Sequence, residues 1–386
     1  MTHATSPKTV RALIAPDKFK GSLTAAEVAD ALADGLSSAT GPSGRPGAVR
    51  CVSLPLADGG DGSVDAAVAS GFTRRNYTVT GPTGQPVQAS IAFDGGTAVV
   101  EVANTCGLGL LPKGKLAPME ASSRGFGEAV LYALSLNPAR IVLALGGSAS
   151  TDGGMGMLGA LGFTFSDEDG NQLAGSGADL AMIHSIHWTV LPELAGTVLL
   201  VASDVHNPLL GAHGAPTVFG PQKGAGPGDI AALETGLGNF LAKMAEAGFE
   251  NAAALAHHEG AGSAGGIGYA CLLLGAQQVA GADFFLDLLD FDGRRDGCDV
   301  VITGEGSLDE QTLGGKLPAA VARRSGARPI IAVAGRSLLP RERWSEMALS
   351  GVYTLADYTL LDSSTDPELS AAILRQIGKD IGTSLL

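Results

Sequence analysis

The chain has 386 residues, 45% of them apolar and 17% charged, with a mean hydropathy of +0.22; this excludes a disordered polyelectrolyte and predicts two folded domains rather than one. A net charge of −14 gives a nucleic-acid backbone no basic face to bind, whereas a small anionic substrate needs only a few local donors. The four cysteines, Cys51, Cys106, Cys271 and Cys298, form no CxxC pair, so neither a zinc site nor a redox couple is expected, and a reducing, cytoplasmic compartment is. The opening MTHATSPKTVRALIAPDKF lacks the sustained apolar stretch of a secretory leader, and no apolar run is long enough to cross a bilayer.

Along the chain, short apolar runs alternate with glycine- and acid-rich loops and then helices. Val10 to Ala15 is expected as the first strand and APDKFKGSL as its loop. Thr24 with Glu27 three residues on is a capping box opening a helix over Ala25 to Leu36. Val49 to Leu54 gives the second strand and ADGGDGS its loop, with Ser63 as cap of the helix behind it. From about Phe72 to Asp94 the pattern changes to the alternation of a hairpin, TVTGPTGQPVQASIAFDGG, which predicts the start of a second domain. Further strands are expected at Ala139 to Leu145, before GGSASTDGG and a helix near Met155 to Leu161, and at Val198 to Ala202, before SDVHNPLLG. GAGSAG precedes a helix over Ile267 to Ala276. Asp299 to Thr303 leads into a glycine-rich loop carrying Glu305, Ser307 and Asp309, with Lys316 in front of a helix. Pro329 to Ala334 is the next strand, and Asp366 and Pro367 begin the last helix as N-cap and first helical residue. This alternation predicts a parallel sheet covered on both faces, with ligands held beyond the carboxyl ends of the strands.

The loops at those ends carry the chemistry. None contains G-x-x-x-x-G-K-[ST], so phosphate would have to be held without a P-loop. In GGSASTDGG, Gly147, Ser148, Ser150 and Thr151 offer backbone and hydroxyl donors before Asp152, as an anion-holding nest does; the plain alternative is a strand–helix turn needing glycine. Lys223 stands among glycines in VFGPQKGAG and can meet a phosphate as a point charge, or be a solvated turn lysine. Asp204 follows a strand and suits Mg²⁺, which takes one or two carboxylates plus substrate oxygens; an Asx-turn before Pro208 is the alternative. Asp58 and Asp61 in ADGGDGS can supply a general base, and Lys18, Lys20 and Ser22 in the first loop suit a small carboxylate. GAGSAG matches G-x-G-x-x-G but follows ALAHHE, a poor strand, so a dinucleotide site lacks its context.

Together IAPDKFKGSLTAAEVA, PLADGGDGS, SSRGFGE, ALGGSASTDGGMGML, ASDVHNPLLG, FGPQKGA, GAGSAGG and VITGEGSLDEQTLGGK resemble, in order, the bacterial glycerate kinase family without a P-loop. The resemblance implies ATP-dependent, Mg²⁺-assisted phosphorylation of D-glycerate in organic-acid metabolism, with 2-phosphoglycerate the favoured product. It implies a Rossmann-like parallel-sheet domain from both chain ends, residues 1–70 plus 290–386, an inserted α/β domain, residues 71–289, and an active site in the cleft between them. Under it Asp204 becomes the metal ligand and Asp58 the base, with Asp152 as rival for either role. Gly147 to Thr151 and Lys223 would hold the ATP phosphates. Lys20, Ser22 and Lys316 would neutralise the glycerate carboxylate or the transferring group, with Ser307 beside them on the substrate, and Glu305 and Asp309 would orient Lys316 or the metal. The competing readings are a nicotinamide-dependent hydroxy-acid oxidoreductase built on GAGSAG, for which a strand before Gly260 would speak, and a non-catalytic hydroxy-acid sensor.

Overall fold

The structure is a computed structural model that describes residues 9–40, 48–189 and 191–386; the first eight residues of the stretch read above for a leader lie outside them. In chain order the strands are β1 Thr9–Pro16, β2 Ala48–Ser53, β3 Thr73–Thr80, β4 Pro86–Phe93, β5 Thr97–Glu101, β6 Arg140–Ala144, β7 Thr164–Ser166, β8 Ser185–His187, β9 Val198–Ala202, β10 Gln277–Val279, β11 Val300–Leu308, β12 Ile330–Ser337 and β13 Leu349–Thr354. They fall into two compact units, Met1–Asp58 with Ala282–Leu386, and Gly59–Gly281. No helix among the described residues is long and apolar enough to cross a membrane.

The first unit is built on a five-stranded sheet in the order β13-β12-β11-β1-β2, every neighbour parallel. Counted in the unit's own sequence order this is 2-1-3-4-5, the flavodoxin-type doubly wound arrangement, and the order reverses between β1 and β11. Apolar strand residues such as Ile14, Ile302 and Val333 are fully buried, as strands covered on both faces require. The helix Ala25–Ser37 starts at the expected box: Thr24 accepts from Glu27 N, and the Glu27 side chain accepts from Thr24 N. Its buried stripe, including Leu32, Gly35 and Leu36, belongs to the same core as Ile373, Leu374 and Ile377 of the last helix, Pro367–Leu385, which Asp366 caps. A side chain on Gly35 would put its Cβ 2.1 Å from Arg375 O, so glycine is what lets these two helices meet.

The second unit has a six-stranded sheet, β10-β9-β6-β5-β4-β3. β10, β9, β6 and β5 run parallel, whereas β4 and β3 are antiparallel and form the expected hairpin. The short antiparallel pair β7 and β8 stands apart. Its core gathers Val100, Phe126, Ile141, Leu143, Phe240 and Tyr269.

Several expectations are corrected. Glu305 and Ser307 lie on a strand and not in a loop: β11 runs on to Leu308 because β12 supplies ladder partners, Ala334 for Glu305 and Arg336 for Ser307. Ser63 is the first residue of its helix, not the cap; Gly62 takes the cap position with φ +92°, and the Ser63 hydroxyl donates to Gly60 O. The helix from Ile267 ends at Leu273, since Gly275 turns the chain with φ +80° into β10. The units divide after Asp58 and after Gly281, earlier than the expected 70 and 289. Glu101 binds the start of the helix Ser63–Ala69 into the second unit, while Asp283 pairs with Arg323 in the first.

Candidate functional site

In the first unit the reversal between β1 and β11 gathers strand-end residues at one edge. Asp17 follows β1: its N–H donates to Gly304 O at 2.8 Å, its Oδ1 accepts from Lys18 N at 2.7 Å, and Lys18 Nζ lies 3.6 Å from that oxygen. Burial pushes the Asp17 carboxyl up to about 6, with Lys18 pulling it down and the charge of Asp58 pushing it further up. Asp58 ends the segment after β2, where Leu54 and Leu56 donate to Ile14 O and Pro16 O and so carry the chain along β1. Glu305, 8% exposed, accepts from Thr312 Oγ1 at 2.5 Å. Burial raises its carboxyl to about 7; the Thr312 hydroxyl and the Lys316 ammonium work against the rise, and Asp17 and Asp309 add to it. Lys316 occupies the cap position of the helix Leu317–Arg324, its Nζ 3.9 Å from Asp309 Oδ1. Ser307 Oγ is buried and meets no hydrogen-bond partner among the described residues. Lys20 is exposed. Ser22 is spent on structure: it donates to Ser370 Oγ at 2.8 Å, and Ser370 donates to Ser363 O at 2.7 Å, fastening the first loop to the last helix.

In the second unit the loop after β6 is tied down by hydrogen bonds and forms a candidate cradle. Gly147 takes φ +81°, Ala149 N donates to Cys106 O at 2.9 Å, and Leu108 N donates to Gly147 O at 2.9 Å. Ser150 N donates to Ser148 Oγ at 3.1 Å, and the two hydroxyls lie 3.1 Å apart. Thr151 Oγ1 is buried without a hydrogen-bond partner among the described residues. Asp152 is fully buried: Ser123 N, Ser123 Oγ and Gly156 N donate to Oδ2, and Gly154 N donates to Oδ1. That is a carboxylate holding the loop and the following helix start together. Lys223, 2% exposed, donates through Nζ to Ser150 O. Burial lowers its ammonium to about 8, and the charge of Asp152 opposes the drop. Lys223 is therefore a buried brace of the cradle and not a solvated turn lysine.

GAGSAG backs this cradle. The helix Ala252–Ala256, not a strand, precedes it, so the dinucleotide reading loses the feature that would have supported it. Gly153 N donates to Gly265 O at 3.0 Å, and a Cβ on Gly265 would lie 2.1 Å from Ser150 O. Asp204 sits half-buried after β9, its Oδ1 accepting from Gly281 N at 2.8 Å. Two further acids, half-buried Asp17 and buried Glu101, carry fainter signals in the sequence. Asp17 stood in a quoted loop, and its signal was its place directly after the first strand. Glu101 stood inside AVVEVA, where an acid within an apolar run is the signal.

A model of the glycerate kinase family matches residues 12–383. The glycerate kinase of Bacillus subtilis (strain 168) is 41% identical over 333 residues, 84% of this chain and 85% of the relative. The glycerate 2-kinase of Escherichia coli (strain K12) is 39% identical over the same shares. A crystal structure assigned to glycerate kinase 2 of Salmonella typhimurium LT2 superposes with a TM-score of 0.78 at 35% identity, covering 98% of each chain. With matches of this length on both sequence and fold, the chain belongs to the glycerate kinase family.

Proposed function

We propose that the chain carries out its family's reaction, ATP-dependent phosphorylation of glycerate, on the D-isomer and at the 2-hydroxyl, in the cytoplasm that supplies ATP. The observation that carries this reading is the edge of the first sheet, where Asp17, Asp58, Glu305 and the Lys316–Asp309 pair collect at the reversal of strand order. Lys316 and Lys20 neutralise the glycerate carboxylate, and the substrate gives the buried Ser307 hydroxyl the partner it lacks. Glu305 takes the hydroxyl proton, since a base works best when its basicity lies near the working pH and Glu305 titrates at about 7. Asp58, beside Asp17, orients the reacting hydroxyl. The hydroxyl oxygen then forms its bond to the γ-phosphorus as the bond to the ADP oxygen breaks.

The Gly147–Thr151 cradle, braced by Lys223, holds the ATP phosphates, and Thr151 Oγ1, buried without a hydrogen-bond partner among the described residues, is the hydroxyl left to donate to them. Mg²⁺ fits the residues present. Mg²⁺ asks for one or two carboxylates plus phosphate and water oxygens, and half-buried Asp204 directly after β9 offers one. Asp204 would hold it, and when bound the ion neutralises charge on the β- and γ-phosphates. Asp152 serves the scaffold. The test is phosphorus NMR of the product from D-glycerate and ATP: the 2-phosphate ester is expected, and the 3-ester overturns the assigned hydroxyl. Asp204→Asn is expected to raise the Mg²⁺ concentration for half-maximal rate with a smaller change in turnover; an unchanged Mg²⁺ dependence removes Asp204 from the metal.

A further inference from the structure

Glu101 ends β5 at 3% exposure, and the reaction above gives it no task. Its Oε1 accepts from Gly62 N at 3.1 Å and its Oε2 from Val64 N at 3.0 Å. These amides begin the helix Ser63–Ala69, whose cap residue Gly62 has no side chain to offer them. A carboxylate from another strand thus does the work of a cap. The loop it secures lies under the cradle. A Cβ on Gly59 would sit 2.3 Å from Ala202 O, and one on Gly146 would sit 2.5 Å from Gly60 Cα. Gly146 N donates to Gly59 O at 3.4 Å, and a Cβ on Gly147 would lie 3.8 Å from Asp61 Cβ. The glycine loop is therefore wedged between β9 and the cradle, with Glu101 as its downstream anchor.

We propose that Glu101 is a positioning residue for the phosphate cradle: its carboxylate clamps the Gly59–Gly62 loop and, through Gly60 and Gly146, sets the backbone that receives the nucleotide. This rests on reading Gly147–Thr151 as that cradle. The clamp uses both carboxylate oxygens as acceptors, and protonation turns one of them into a donor facing an amide. Burial raises the carboxyl to about 7; the Val64 and Gly62 amides pull it down, and Asp61 and Asp65 push it up. Tyr77, its own hydroxyl raised by burial, also feels the charge of Glu101. Because the two amides hold the ionised form, losing them while Glu101 stays buried raises its carboxyl further; protonation therefore favours the released amides, and acidification through neutrality should loosen the clamp.

The test compares wild type with Glu101→Gln by amide hydrogen exchange of ligand-free protein and by calorimetric binding of ADP, each at pH 8 and pH 6. Protection of the Gly62 and Val64 amides, corrected for the intrinsic pH dependence of exchange, should fall on the order of tenfold in the variant at pH 8, the loss expected for a hydrogen bond to a charged group. The dissociation constant for ADP should rise by a similar factor. Wild type taken to pH 6 should move toward the variant, whose protection should not respond to pH. The wild-type pH comparison decides the clamp even if the variant does not fold. Equal protection throughout overturns the clamp. Lost protection with unchanged ADP affinity makes Glu101 a helix cap and overturns the positioning role. Wild type that binds no ADP overturns the nucleotide reading of the cradle, and the positioning role with it, while exchange still reports on the clamp.

Discussion

Asp152 and Glu305 are both buried acids at glycine-rich strand ends, yet their surroundings differ. Asp152 receives four donors, two of them from Ser123, a residue 29 positions away. Glu305 receives the Thr312 hydroxyl and lies near a lysine. The sequence marked both as acids at strand ends, but the Ser123 contact depends on where the chain folds back, so the difference in their surroundings was not legible. Glu305 makes a sharp prediction. Its folded carboxyl titrates near 7, above the ordinary value of 4.5, so the folded state binds its proton more tightly than the unfolded chain. The stability this contributes is full below the ordinary value and is lost as pH rises through about 7. At pH 8 Glu305→Gln should therefore be as stable as wild type or more stable, by about 1–3 kcal/mol in urea unfolding. Its turnover should fall on the order of 100-fold or more, within the range of general base catalysis. A variant that is less stable yet turns over normally would show a structural acid. Lys316→Met should raise the apparent KM for glycerate more than it lowers kcat if the ammonium meets the substrate carboxylate; wild-type kinetics would return it to an ordinary half-exposed lysine.

Elements were legible where their signals are local. The capping box at Thr24, the Asp366–Pro367 start and the strand Val198–Ala202 were all readable, because caps and apolar runs act over a few residues. The run-on of β11 was not, because what extends it is the neighbouring strand β12, and a strand ends where its partners end. The contact of the first and last helices was also hidden, since a glycine in a helix reads locally as a mild weakness. Gly35→Ala places a Cβ 2.1 Å from Arg375 O and should cost about 1–3 kcal/mol as overpacking, even after alanine's better helix propensity. Gly238→Ala in the helix Pro227–Glu246 meets nothing within 4 Å and should be neutral or stabilising by up to about 1 kcal/mol. Urea midpoints of the two variants check the pair; equal shifts would contradict the close helix approach.

At the scale of the whole chain, the alternation of strands and helices and the hairpin-rich change of pattern pointed to two α/β domains, whereas assembly of one of them from both chain ends was implied by the family resemblance alone. The strand order 2-1-3-4-5 was not readable, because parallel strands of similar apolar character carry no local mark of their neighbours. That order creates the reversal on which the acids and lysines collect. Residues 59–281 contain their own core and both hydrogen-bonded partners of Glu101, so expressed alone they should fold, with a cooperative thermal transition and dispersed amide resonances. A collapsed, unstructured product would contradict the division after Asp58. Coupled detection of ADP release by the purified chain tests the phosphorylation of glycerate most directly. ADP should form only when D-glycerate, ATP and Mg²⁺ are all present. No ADP with any small hydroxy acid, together with reduction of NAD⁺ by one of them, would contradict it.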